Sequence, residues 1–548
     1  MKKKLIYAMC VLWAGSYVFS QVEEEQIQLP EITTTISGDT VVAGKDAVPD
    51  FSRVVPAAGM EKNIMPKLPG ERISSGSEEE PVADFFFGEK KNVYAQGILG
   101  GGFPGDFIGD FSVYKTSSSN PFKIEFSHFS RNGYGKNTAG DGYFDNGTKL
   151  YAEKTFRVSG SDVSFAGKYD RAGTGLQERS QNFFDMTSQK VSGTLIFDHV
   201  FGDSGFEFYS ETQAYWFNRY TGIKNEGVYS DLEKNMNVFF TDPGFIFSFY
   251  QSGISVSLDC NFQFESLLGK ADGADVKRLC RADASIVGGY ESDLFTAFGQ
   301  VGLAGGSEIG DGRSIVPTFS AGAELKTKLG GNPKTFVFAL NGGLETSTEE
   351  LANLERTYKF AQLTSLPAEM TDWFVNSKIV LPLVEFLSIN GGVEFKRTAF
   401  ENGMWEADYS SKKRTGLYGF KNIERTLVTT DSGITFNFGL FTLRGGWRAH
   451  WNHVPSNEYK HSVEAVLSYE SDDEKWGFSV GSVESIDTYS DKCPNLKGSI
   501  YYNMKNVMRL SLEIEDAIKL FSGKDREYVD SDYLARPGSA TVLAKFFF

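Results

Sequence analysis

The sequence predicts an all-β fold, a transmembrane antiparallel up-and-down β-barrel of about 22 strands, or roughly 20 to 22 once boundary slippage is allowed for. Three observations predict it. Apolar and polar residues alternate with a period of two through most of the chain, the connections between these stretches are short and long by turns, and the last residues alternate up to a terminal phenylalanine.

The elements follow in order. Lys2, Lys3 and Lys4 precede an apolar run from Leu5 to Phe19, and the small Ser20 offers a cleavage point, so residues 1–20 read as a secretory signal peptide that takes Cys10 with it. Cys260, Cys280 and Cys493 then remain, too few in a chain this long for a disulfide framework. Cys280 and Cys493 fall in segments expected to be loops at one end, where a bridge and two free thiols both fit. Residues 21–91 hold no period: Glu23 to Glu25 and Glu78 to Glu80 are acidic runs, with scattered prolines between them. That stretch is expected to be a largely disordered periplasmic tail or a partial plug. Its Asp39-Thr40-Val41-Val42 could pair as a strand with the edge of a periplasmic partner.

The barrel is expected over residues 92–548. Phe122, Ile124 and Phe126 alternate with Lys123, Glu125 and Ser127, and Met508, Leu510, Leu512 and Ile514 alternate with Arg509, Ser511, Glu513 and Glu515. Successive side chains on a strand point to opposite faces, so each stretch has one apolar and one polar face. Short connections such as Gly202 to Gly205, Ser252 to Gly253 and Gly439 to Leu440 are interleaved with long ones such as Ala172 to Asp185, Thr346 to Glu369, Thr398 to Glu424 and Ser522 to Pro537. A soluble sandwich has no reason to segregate loop lengths in this way, whereas an outer-membrane barrel has short periplasmic turns and long outer loops.

Composition excludes other classes. Aromatic residues are abundant (47 Phe, 24 Tyr, 7 Trp) and the formal net charge is −16, which argues against nucleic-acid binding. After residue 20 no apolar run is long enough for a spanning helix. No serine elbow, paired-histidine helix motif or phosphate loop appears, so no enzyme and no cofactor is expected. His450, His453 and His461 lie close in sequence, yet their parity differs and no convergent metal site is expected. Trp216, Trp373, Trp447 and Trp451 read as lipid-facing or interfacial anchors.

The end of the chain sharpens the location. Ala540, Val542, Ala544, Phe546 and Phe548 alternate with Thr541, Leu543, Lys545 and Phe547. This resembles the C-terminal strand of bacterial outer-membrane β-barrel proteins, which implies that Phe546 and Phe548 form the signal read by the barrel assembly machinery. The expected strand number and loop pattern also resemble the barrel of TonB-dependent receptors from about Val93 to Phe548. Asp39-Thr40-Val41-Val42 is similar to that family's energy-coupling box, but residues 21–91 are shorter than its globular plug, so a full plug is not expected.

Candidate lumen residues come from Leu440 to Trp451. Phe441, Leu443 and Trp447 share the face assigned to lipid, and Arg444, Arg448 and His450 share the other. If Phe438 and Phe441 flank a tight turn, Arg448 stands opposite Asp431, and Glu464 is diagonal to it on the next strand. Two readings fit: a salt-bridge network stiffening the wall, or a local positive potential selecting anionic solutes. The expected function is a porin-like or uptake channel in the outer membrane, with long loops folded inward as a constriction. A surface-exposed binding protein or adhesin on a barrel scaffold, and a structural part of an envelope complex, are the alternatives.

Overall fold

The computed structural model describes residues 93–547 apart from 116–119, 133–144, 159, 272, 308–312, 329–333, 414, 487–493, 505–506, 524–525, 528–531 and 536–537. Residues 1–20, read above as a signal peptide and holding Cys10, the stretch 21–91, Cys493 and Phe548 therefore lie outside the described residues.

The alternating stretches form a single 22-stranded sheet. Each strand pairs antiparallel with its sequence neighbour, and closure comes from the two ends of the array. The first strand, Tyr94–Phe103, pairs with the second, Asp106–Lys115, on one side and with the last, Ser539–Phe547, on the other. The last strand also pairs with Met508–Glu515, so no sheet edge is left. Closure is what lets a β-structure sit in lipid, where an unpaired backbone group would cost several kcal/mol.

The period of two becomes two faces. Leu99, Phe165, Trp216, Val301 and Val480 are each more than half exposed on the outside, as a lipid-facing apolar band requires. Next to the short turns the outer aromatics touch in chains. Phe438 stacks on Phe441 at 5.4 Å and Phe441 meets Tyr469 at 4.9 Å beside Gly439-Leu440, and Phe206 meets Phe249 at 4.8 Å beside Gly202–Ser204. Such girdles mark the membrane–water boundary. The turn Ser252-Gly253 joins paired Gln251 and Ile254 with φ of 51° and 80°, the doubly left-handed conformation of a tight hairpin. A Cβ on Gly253 would lie 2.4 Å from the Glu291 carbonyl oxygen.

The other end corrects the expected picture in two respects. Strands run further than their alternation suggests: Ser161–Gly175 and Phe183–Val200 pair almost to their tips, although Ala172 to Asp185 was expected to be loop. Phe206–Ile223 has 18 residues, well beyond the roughly 9 to 11 that a membrane needs, so its upper part stands above the lipid. The long connections also carry structure of their own. One holds the helix Leu351–Thr357, another the hairpin Met404–Lys412 with Tyr418–Ile423, and a third the helix Ala517–Ser522. The main apolar core lies here, where these loops pack on one another and on the wall.

Candidate functional site: the loop-filled mouth

The strand Phe206–Ile223 presents Trp216 outward and Tyr215, Phe217 and Arg219 inward, and these three are almost completely buried. They are covered by residues 350–366. Leu351, Ala352 and Leu354 of the short helix, followed by Tyr358, Phe360, Leu363 and Leu366, pack against wall residues that include Met236, Phe240 and Leu279. Tyr215 stacks on Phe240 with ring centroids 4.6 Å apart.

Polar contacts frame this apolar patch. Lys190 Nζ lies 3.4 Å from a Glu350 carboxylate oxygen and 3.8 Å from the centre of the Tyr215 ring. Arg356 donates to the Asp170 carboxylate at 2.9 Å and to the Asp170 carbonyl at 3.0 Å. The Leu351 amide donates to Glu265 at 3.2 Å. At the centre Arg219 Nε faces Glu355 at 3.6 Å, with side chains 0% and 1% exposed, while its Nη atoms donate to Gln362 Oε1 at 3.1 Å and the Leu232 carbonyl at 2.5 Å. Burial pushes the Glu355 carboxyl up from its ordinary range, and the Arg219 guanidinium pulls it part of the way back. Burial likewise lowers Lys413, against the pull of Glu355.

Further contacts knit distant loops together across the mouth. Gln177 exchanges hydrogen bonds with the Leu534 backbone at 2.8 and 2.9 Å, and Ser180 donates to the Thr415 carbonyl. Tyr533 donates to the Gly416 carbonyl at 3.0 Å and stacks on Phe360 at 4.0 Å. The result is a loop cap with its own core. None of it was expected from the sequence beyond an inward fold of the loops. A signal existed on the wall: Tyr215-Trp216-Phe217 and Phe239-Phe240 break the alternation, and an apolar residue on both faces marks a strand covered on both sides.

The candidate lumen residues lie elsewhere on the wall. Paired residues of neighbouring strands share a face, and following the registers from Arg219 around the sheet puts Asp431, Arg448, His450, Arg444 and Glu464 on that same inner face. Phe438 pairs with Phe441 across Gly439-Leu440, Arg448 stands opposite Asp431, and Arg448 Nε donates to it at 2.8 Å. Glu464 stands opposite Gly446, diagonal to Arg448. Arg444 is exposed and makes no ion pair among the described residues. The structure therefore separates the two arginines, one tied into the wall and one open.

His450 is buried between Thr429 (3.0 Å) and Glu458 (2.7 Å), a loop carboxylate that sequence reasoning did not single out. His453 meets Glu406 at 3.3 Å, and His461 lies along Trp447 on the outer face. The three histidines thus go to three different neighbourhoods. Trp373 and Trp451 are exposed on the outer face. Cys280 lies within the strand Arg278–Glu291 rather than in a loop, as an exposed free thiol. Phe546 pairs opposite Gly97 on one side and Met508 on the other.

With this geometry in view, comparison with solved structures is informative about the fold. The chain is similar to the FrpB iron transporter from Neisseria meningitidis (F5-1 variant), with a TM-score of 0.62 and 9% identity over 85% of this chain and 84% of that one. It is similar to the siderophore receptor PirA from Pseudomonas aeruginosa, with a TM-score of 0.61 and 9% identity over 84% and 81%. The copper transporter OprC gives 0.59 and 9% over 83% and 80%. At this level of identity the likeness is one of fold, which the chain shares with them over most of its length. No protein-family model matches the chain, and no curated protein matches it in sequence.

Proposed function

We propose that the protein is an outer-membrane uptake barrel whose lumen is closed at rest by the loop cap and opens when the cap leaves the wall. One observation carries this reading: the apolar core lies at the long-loop mouth, with residues 350–366 seated on the inward side chains Tyr215, Phe217, Met236 and Phe240. A barrel of this circumference leaves an aqueous lumen unless something fills it. The similar solved barrels, named as iron, siderophore and copper proteins, support uptake over display. Below the cap, Arg444, Arg448, Asp431 and Glu464 line the path, with His450 covered by the loop residue Glu458 at its upper end, and the exposed Arg444 is the group that selects anions.

Liposome swelling tests the proposal. Proteoliposomes of the full chain should swell slowly in small sugars. A variant in which residues 348–366 are replaced by a short Gly-Ser linker should swell several times faster. Fast swelling by the full chain would instead mark a standing-open porin. No swelling by either protein would leave the barrel as a scaffold for its loops.

A further inference from the structure

The segment that closes the mouth is held as a ligand would be. Its carboxylate Glu350 meets a cation, Lys190, and its cation Arg356 meets a carboxylate, Asp170. One main-chain amide, that of Leu351, is read by Glu265. Between these polar points Leu351 and Leu354 enter the apolar patch around Tyr215 and Phe217. The wall thus recognises both signs of charge, a backbone N–H and branched apolar side chains at fixed spacing. Simple sugars do not combine these groups, and a short peptide does.

The fit is also incomplete. Gln362 Nε2 and Arg356 Nε are buried without a hydrogen-bond partner, and Arg219 and Glu355 pair at 3.6 Å without a hydrogen bond. Buried polar atoms left unpaired weaken an interface, and buried ion pairs are weak stabilisers compared with apolar packing. A permanent stopper has no need of so many charges, whereas a segment that must leave and return needs surfaces that tolerate water when apart.

Resting on the gating reading above, we propose that Asp170, Lys190, Tyr215, Phe217, Arg219 and Glu265 form a peptide-binding site on the inner wall. The chain's own residues 350–356 occupy it at rest, and an incoming amphipathic peptide carrying both acidic and basic residues displaces them.

The test uses the shortened barrel in a planar bilayer, with a synthetic peptide of residues 348–366 added on the long-loop side. The peptide should block the current. A peptide with Glu350→Lys, Glu355→Lys and Arg356→Glu should block at least about tenfold more weakly. Equal block by both peptides, or none from either in a barrel whose conductance has risen, overturns the site while leaving the gate intact. If shortening does not raise conductance, the gating reading fails. The site is then judged by anisotropy of the labelled peptides on the same protein: charge-dependent binding supports it and charge-independent or absent binding refutes it. Should the shortened chain fail to assemble, the full-length Glu350→Lys, Glu355→Lys variant replaces it, and the same two peptides support or refute the site by the same comparison.

Discussion

Arg444 and Arg448 share a strand face but not an environment, and their substitutions should differ accordingly. Arg448→Gln leaves Asp431 without its 2.8 Å partner in a partly buried setting and should cost about 1 kcal/mol in detergent melting, with the reversal potential almost unmoved. Arg444→Gln should leave melting unchanged and shift the reversal potential of the shortened, open barrel toward cations. The reverse pattern would exchange their roles. Glu458 gives a pH signature. Burial pushes its carboxyl up, but the hydrogen bond and charge of His450, with Arg448, outweigh that and hold its pKa below the ordinary 4.5. A depressed carboxylate stabilises the folded state above its unfolded pKa, and that stability is lost as pH falls through the lower, folded value. Amides of residues 451–460 should therefore exchange hydrogen faster as pH drops below 4.5, after correction for intrinsic rates, and Glu458→Gln should abolish the step. The arginine ladder was legible because alternation and a tight turn fix register. Glu458 was not, because no period tells where a loop returns.

At the scale of elements, the wall strands follow from local pattern and the cap does not. Phe122 to Ser127 alternates cleanly, but the helix Leu351–Thr357 is too short for its periodicity to stand out, and its stability comes from tertiary burial. Glu355→Gln leaves the fully buried Arg219 without its counter-charge, and breaking such a pair costs about 3 to 5 kcal/mol. The cost should fall on cap docking: limited proteolysis should cut within residues 348–369 many times faster, while barrel melting stays near that of the parent. Unchanged cleavage would mean that the pair does not hold the loop. The closing strand Ser539–Phe547 behaves differently, since it completes the cylinder by pairing on both sides. Deleting Phe546 to Phe548 should leave the chain unassembled in the periplasm, and a truncated chain that still ran as a heat-modifiable folded barrel would contradict the assembly-signal expectation.

For the whole molecule, strand number, direction and loop asymmetry were all readable, because lipid imposes the same apolar alternation on every strand, so that strands and the connections between them can be counted along the chain. The state of the lumen was not readable, since it depends on contacts between residues as far apart as Gln177 and Leu534. The barrel closes through strands that begin at Tyr94, so a chain lacking residues 21–91 should melt at an unchanged temperature, and a large loss would show that this stretch packs as a plug. The claim that the loop cap closes the barrel is tested most directly by single-channel conductance in planar bilayers, comparing the full chain with the variant shortened at 348–366. Closure by the cap predicts rare, small openings from the full chain and steady openings several times larger from the shortened one. Steady, large openings of equal size from both proteins would contradict it.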